Sequence, residues 1–311
     1  MLGISINSDP QNKILEEIEK GLITGSGDRK QGSENRRIFT TIFTPNPELL
    51  VFAAKHPWFA ELFNQADITL PDGVWLVKGQ RFLRKSPDPL IPQRIAGVDF
   101  MEELVKLSVK RGISVGLIGG KGQVAVKALE CLVQKYPGLQ GWAMEAPEIK
   151  FKTHTSKFTK KYIFNSLISD SGSIDSFIHQ AVSRIIKHNT QTVFVGLGAP
   201  KQEIFINKLK IQISKLKTTT QNSKLKNNWL KQSEPDTNYQ QPETKNALIL
   251  MSVGGAFDYI SGRLRRAPPW VRRAGFEWLW RLIAEPWRVK RQLALFEFLI
   301  LTLRQKITGL K

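Results

Sequence analysis

The chain reads as an α/β protein: a doubly wound, mostly parallel sheet followed by a basic helical C-terminal appendage. Three observations carry that reading. Apolar strand-like runs alternate with helix-length segments over residues 36–262, the pattern of parallel βαβ units. Two of those runs, 193–196 and 247–253, end in glycine clusters followed by polar residues, and ligands of open α/β sheets bind beyond the carboxyl ends of their strands. Residues 263–311 then change composition, with twelve Lys or Arg against three Glu, a net of +9.

Taken in order, residues 1–35 are polar, broken at Gly25-Ser26-Gly27 and Gln31-Gly32-Ser33, and are expected to form a loosely attached extension. Residues 38–43 predict the first strand, Thr44-Pro45-Asn46-Pro47 a turn, and the following stretch to residue 64 a helical region. A short strand at 68–70 runs into Pro71-Asp72-Gly73, and a loop with Pro87, Pro89 and Pro92 leads to Arg94, Gly97 and Asp99, where a helix opens and continues to about Arg111. Residues 113–118 predict a strand, Gly119-Gly120-Lys121-Gly122 a turn, and 123–135 a helix. Two stretches interrupt the rhythm. Residues 150–175 are rich in Lys, Ser and Thr, and 214–246 are polar and poor in aliphatics; both read as surface insertions, the second disordered.

The strand at 193–196 ends where Gly196 and Gly198 permit a tight backbone and Pro200 suits the first turn of a helix. Lys201 and Gln202 then fall where helix N-terminal amides favour an anion. The run 247–253 ends the same way in Gly254, Gly255 and Asp258, so the two ends suggest one shared crevice. A tight strand-to-helix turn with no ligand is the plain alternative for either cluster.

In the appendage stand four of the eight Trp, Trp270, Trp278, Trp280 and Trp287. Val271, Ala274, Trp278, Leu279, Leu282 and Ile283 recur at helical spacing, with Arg272, Arg273 and Arg281 mostly off that stripe; Pro286 interrupts the helix before a second one through Leu303. Trp and Arg flanking an apolar face suit a helix at an anionic bilayer surface, where each basic residue contributes about 1 kcal/mol. The alternative is a basic helix pair packed on its own domain or on a second subunit.

Composition bounds the chemistry. Of 311 residues, 46 are Lys or Arg and 27 Asp or Glu, a net charge of +19 that calls for an anionic partner. The lone Cys131 excludes an intramolecular disulfide. The N-terminus lacks the pattern of a secretory signal, and the longest mostly apolar run, 293–303, contains Glu297 and Thr302 and is too short to span a bilayer. His56, His154, His179 and His188 form no close ligand pair and no Asp-x-Asp occurs, so a mechanism without metal or cofactor is expected. There is no Walker A sequence, and the glycine spacing over 116–122 departs from the dinucleotide fingerprint, which argues against a nicotinamide enzyme. A nucleic-acid module would explain the charge, but the basic residues cluster with Trp and aliphatics rather than along a reader motif. Asp72, between Pro71 and Gly73 at a strand end, is the best candidate general base, its alternative being a turn or capping Asp.

Together Thr44-x-Asn46, Pro71-Asp72-Gly73, Arg94-x-x-Gly97-x-Asp99, Gly196-x-Gly198-x-Pro200-Lys201-Gln202-Glu203, Val253-Gly254-Gly255-x-Phe257-Asp258 and Arg266-x-Pro268 through Glu277-Trp278, Arg281, Glu285-Pro286 and Arg288 resemble the WecG/TagA/CpsF family of bacterial glycosyltransferases. The resemblance covers about residues 36–292 apart from the two insertions. It implies a Rossmann-like α/β domain that is metal-independent and inverting, with a C-terminal appendage involved in membrane association. It also implies transfer of N-acetylmannosamine or a relative from a UDP-sugar to a polyprenyl-diphosphate-linked sugar, by a cytoplasmic protein held peripherally on the inner membrane face. UDP-glucose for exopolysaccharide is the alternative donor, and a homo-oligomer is left open. By position, Asp72 resembles the family's proposed base. Thr44, Asn46, Arg94 and Gln202 match pocket residues, with Arg94 answering charge on the departing UDP or gripping the lipid diphosphate. Gly73, Gly198, Lys201, Glu203, Gly254, Gly255 and Asp258 fall to substrate binding, and Arg266, Arg273, Arg281 and Arg288 to lipid phosphates. The chain departs from the usual pattern in its two insertions and at Ala199 and Phe276, where Ser and Leu are more usual.

Overall fold

In the computed structural model, which describes residues 1–24, 39–84, 91–147, 171–219 and 247–309, six strands form one all-parallel sheet in the order β2-β1-β6-β5-β3-β4. The strands are β1 (Phe39–Phe43), β2 (Ile68–Thr69), β3 (Val115–Gly119), β4 (Gly141–Met144), β5 (Thr192–Gly196) and β6 (Leu248–Ser252). β3 and β6 are buried along their whole length, as central parallel strands covered on both faces must be. Register is continuous across the middle: Thr41 of β1 pairs Leu250 of β6, and Val193 of β5 pairs both Leu250 and Gly116 of β3.

Alternation of side chains along the strands feeds two separate cores. On one face Val193, Val195, Leu248 and Leu250 pack under α2 (Pro47–Lys55), α3 (Pro57–Phe63), α7 (Ser171–Lys187) and α8 (Lys201–Thr219), with an aromatic cluster of Phe43, Phe59 and Phe63. On the other, Phe194, Ile249 and Met251 pack under α1 (Gln11–Thr24), α5 (Gly97–Arg111), α6 (Val124–Lys135) and α9 (Ala256–Ile260). Each fully buried Phe, Ile or Leu contributes roughly 1.5–3 kcal/mol of transfer free energy. α4 (Val74–Leu83) follows the β2 end.

The N-terminal segment is not loosely attached over residues 1–24. Ile4, Ile14 and Ile18 are buried in the cores, the Asn7 N–H donates to the Thr69 carbonyl at the edge of β2 at 3.0 Å, and Lys110 and Arg111 of α5 hold Glu19. The i, i+4 pair Ile14 and Ile18 anchors the helix, with Leu15 and Leu22 packed beside them. The breakers in 25–33 lie outside the described residues. So does most of each expected insertion. Residues 171–175 open α7, and 214–219 finish α8, so the described boundaries are narrower than 150–175 and 214–246.

The appendage has three helices: α10 (Pro269–Ala274), α11 (Glu277–Ala284) and α12 (Val289–Thr308), with a 3-10 turn at Pro286–Arg288. The single helix expected before Pro286 is two, because Gly275 sits at φ +83° and ends α10 as a left-handed cap. α12 seats Leu295, Phe298 and Thr302 against the body and pairs Glu297 with Lys55 of α2 at 2.7 Å. No helix among the described residues is long and apolar enough to cross a membrane.

Candidate active site

Because every strand points the same way, the loops after β1, β2, β3, β5 and β6 open onto one edge of the sheet. The appendage closes over that edge and leaves a cleft of about 930 Å³. Its lining brings together Thr44, Asn46, Asp72, Gly73, Arg94, Gly198, Lys201, Gln202, Gly254, Gly255, Asp258 and Arg281 of the residues singled out by sequence.

β2 ends early, and Pro71-Asp72-Gly73 turns the chain so that the Asp72 carboxylate faces the cleft. The Asp72 N–H donates to the Pro45 carbonyl at 3.1 Å, and Gly97 at the start of α5 donates its N–H to the carboxylate. Gly97 packs closely there: a Cβ would meet Thr44 Cγ2 at 3.1 Å, tight enough that the threonine would have to give, and Asp72 Oδ2 at an ordinary 3.5 Å. Burial pushes the Asp72 carboxyl above the ordinary Asp range. Arg94, whose Nη2 lies 3.3 Å from Oδ1, pulls it down, and the carboxylate of Glu277 pushes it up again. Arg94 is held fully charged, because burial is outweighed by Asp72 and Glu277.

Thr44 is buried at the end of β1 and donates to the Ser252 carbonyl of β6 at 3.3 Å. Asn46 caps α2 by accepting from the Leu49 N–H at 2.9 Å. Gln202 links the two glycine-rich strand ends: its Oε1 accepts from the Gly254 N–H at 3.0 Å, and its Nε2 donates to Glu203 Oε1 at 2.8 Å. Gly255 leaves room for the Arg281 guanidinium, whose Nη2 a Cβ would meet at 2.5 Å. Arg281 in turn lies 5.2 Å from the Tyr259 ring centroid and pairs with Glu285 at 2.9 Å.

Four expected site residues are differently situated. Glu203 has no exposed surface and is not part of the lining; it backs Gln202 from inside the core, where burial pushes its carboxyl up to about 7. Its side chain points inward because the helix turn that aims Gln202 at Gly254 rotates Glu203 toward the sheet. Arg266 is outside the lining and grips Asp99 through both terminal nitrogens, one at 2.8 Å; against the burial that would raise it, this keeps the Asp99 carboxyl low. Arg273 does not line the cleft, and the Arg288 side chain lies outside the described residues. Conversely, Trp75, Lys121, Glu145, Tyr259, Arg263 and Trp287 line it without having been singled out as site residues, as do Glu277 and Trp278, quoted only as part of a motif. Among the described residues no group of three or more His, Cys, Asp or Glu converges as metal ligands do.

A family model described as the glycosyl transferase WecG/TagA/CpsF family matches residues 29–219 and 233–311. The chain belongs to that family. It is a glycosyltransferase, which decides among the three activity classes left open by sequence. Among curated relatives, this glycosyltransferase is 25% identical over 272 residues, 88% of its own length and 82% of the relative's, to the N-acetylglucosaminyldiphosphoundecaprenol N-acetyl-beta-D-mannosaminyltransferase of Bacillus subtilis (strain 168).

Proposed function

We propose that the chain transfers N-acetylmannosamine from a UDP donor to a polyprenyl-diphosphate-linked N-acetylglucosamine in the synthesis of a cell-surface polymer, with inversion and without a metal ion. The observation that carries this reading is the cleft-facing Asp72, a carboxylate of raised basicity at a strand end, ion-paired with Arg94. The relative's name supplies the sugar and the acceptor.

In the reaction the acceptor hydroxyl oxygen attacks the anomeric carbon from the face opposite UDP. The bond from that carbon to the UDP oxygen breaks, the electron pair leaves with UDP, and the hydroxyl proton passes to the Asp72 carboxylate. Asp72 can take that proton because burial has already made its charged form less favourable. Arg281 and Lys201 supply positive charge on the cleft wall toward the diphosphate that develops. Asp258 accepts from donors of the nucleoside.

The appendage serves as the membrane contact. Trp270, Ile283 and Trp287 are each more than 70% exposed, and along α12 Leu293, Phe296, Ile300, Leu303 and Ile307 form an outward apolar stripe. In a chain of +19, that combination suits an anionic bilayer surface bearing a lipid-linked acceptor, and a peripheral position on the inner face of the membrane. The test is transfer from UDP-N-acetylmannosamine and UDP-glucose, in parallel, to a synthetic lipid-diphosphate-N-acetylglucosamine. Product from the first donor alone is expected; product from the second alone replaces the sugar, and product from neither, with no UDP binding, overturns the reading.

A further inference from the structure

Asp72 is not alone with Arg94. Arg94 reaches the cleft from the loop before α5, and its Nη2 is shared between two carboxylates: Asp72 Oδ1 at 3.3 Å and Glu277 Oε2 at 2.6 Å. Glu277 is the first residue of α11 and so belongs to the appendage. Its other oxygen lies 3.6 Å from Nε of Arg266, which grips Asp99, and Arg272 stands 3.9 Å from the same Asp99. Acid and base therefore alternate across the seam between body and appendage as Asp72, Arg94, Glu277, Arg266, Asp99 and Arg272. Both ends of the Arg94–Glu277 pair are largely buried, with side chains 21% and 16% exposed.

We infer that Glu277 is a positioning residue for the transfer reaction, drawing Arg94 toward the appendage so that Asp72 shares the guanidinium instead of holding it alone when it takes the acceptor proton. The inference rests on the function proposed above. An arginine left alone with a carboxylate forms a close, forked pair that lowers the carboxylate's affinity for protons. Here the guanidinium offers Asp72 one nitrogen, in a hydrogen bond of 3.3 Å, while the same nitrogen makes a closer charge contact, 2.6 Å, with Glu277 Oε2 outside hydrogen-bond geometry, and the buried Arg94 Nε has no hydrogen-bond partner. Glu277 acts twice. It competes for Arg94, and its own negative charge opposes ionisation of Asp72. The groups facing Asp72 are Arg94 and Gly97 from the body and Glu277 from the appendage. Burial sets most of the basicity of Asp72 and Glu277 adds to it when α11 is seated on the cleft, which couples the proton acceptor to the segment proposed to meet the membrane.

The test is the pH dependence of kcat/KM for sugar transfer, in wild type and in Glu277→Gln, a variant of the same shape without the charge. Activity falls on the acid side as the base is protonated. In Glu277→Gln that limb should move down by about one pH unit, as Arg94 closes on Asp72 and the like charge is lost, and the plateau rate should fall about tenfold with the weaker base. Arg266→Gln, which leaves Glu277 to Arg94 alone, should move the limb upward, and it keeps the question open to test if Glu277→Gln fails to fold, with UDP binding as the check on folding. A limb that coincides in wild type and both variants overturns the inference while leaving transfer itself standing. Absence of transfer by the wild-type chain counts instead against the function.

Discussion

The α/β body and the C-terminal appendage are held by different forces. In the body, strands such as β3 and β6 are buried end to end, and two hydrophobic cores lock the helices to the sheet. α11 of the appendage has no buried residue and α10 only Val271; they are fastened by Arg266 on Asp99 and Glu277 on Arg94. The body is therefore held by apolar burial, whereas α10 and α11 depend on charge pairs, Ile283 and Trp287 face outward, and α12 joins the core through Leu295 and Phe298. A scaffold that fixes strand ends and a cover bearing outward apolar side chains is a division suited to the soluble donor and lipid-borne acceptor proposed above.

The difference can be broken from the body side first. Phe194→Ala, at the centre of β5 and fully buried, should cost about 3–5 kcal/mol in denaturant unfolding, while Trp287→Ala, 74% exposed, should change stability by less than about 0.5 kcal/mol. A large loss from Trp287→Ala would mean that the turn between α11 and α12 is part of the core. Glu203→Gln sharpens the same contrast at the boundary of core and cleft. Burial raises the Glu203 carboxyl to about 7 from an ordinary 4.5, so the folded state holds its proton more tightly than the unfolded chain. Stability is then full below about pH 4.5 and declines as pH rises through about 7, by an order of 1–3 kcal/mol. The variant should lack that decline, as read from thermal melts at pH 5 and pH 8, and parallel melts would refute the assignment. On the appendage side, Ile283→Ser with Trp287→Ser should lower sedimentation with phosphatidylglycerol-containing vesicles about tenfold or more without altering the melt. The smallest expected effect is none: EDTA should leave transfer unchanged, and loss restored by Mg²⁺ would replace the proposed chemistry.

Strand ends were legible in the sequence because a buried parallel strand must be apolar and its ligand-side turn must be tight; β1, β3, β5 and β6 all follow that rule. β4 was not, since Gly141 opens an edge strand of four residues with only alternate side chains buried. α1 was hidden by its polar composition, although Ile14 and Ile18 hold it. Asp72, Arg94, Thr44 and Gln202 were read from short motifs, and the fold brings them to one cleft. Glu203 was misread as cleft-facing because adjacent helix positions point about 100° apart, which sequence order alone does not reveal. The contact of Glu277 with Arg94 was invisible for a deeper reason: the two are 183 positions apart by number, and they meet only once the appendage folds back over the cleft.

The central claim is that Asp72 is the proton acceptor in glycosyl transfer. It is tested most directly by comparing wild type and Asp72→Asn in transfer from UDP-N-acetylmannosamine to lipid-diphosphate-N-acetylglucosamine, with UDP affinity measured on the same preparations. Turnover lower by about 10²–10⁴ at unchanged UDP affinity is the predicted result. Turnover retained in the variant would contradict it and move the base elsewhere in the cleft.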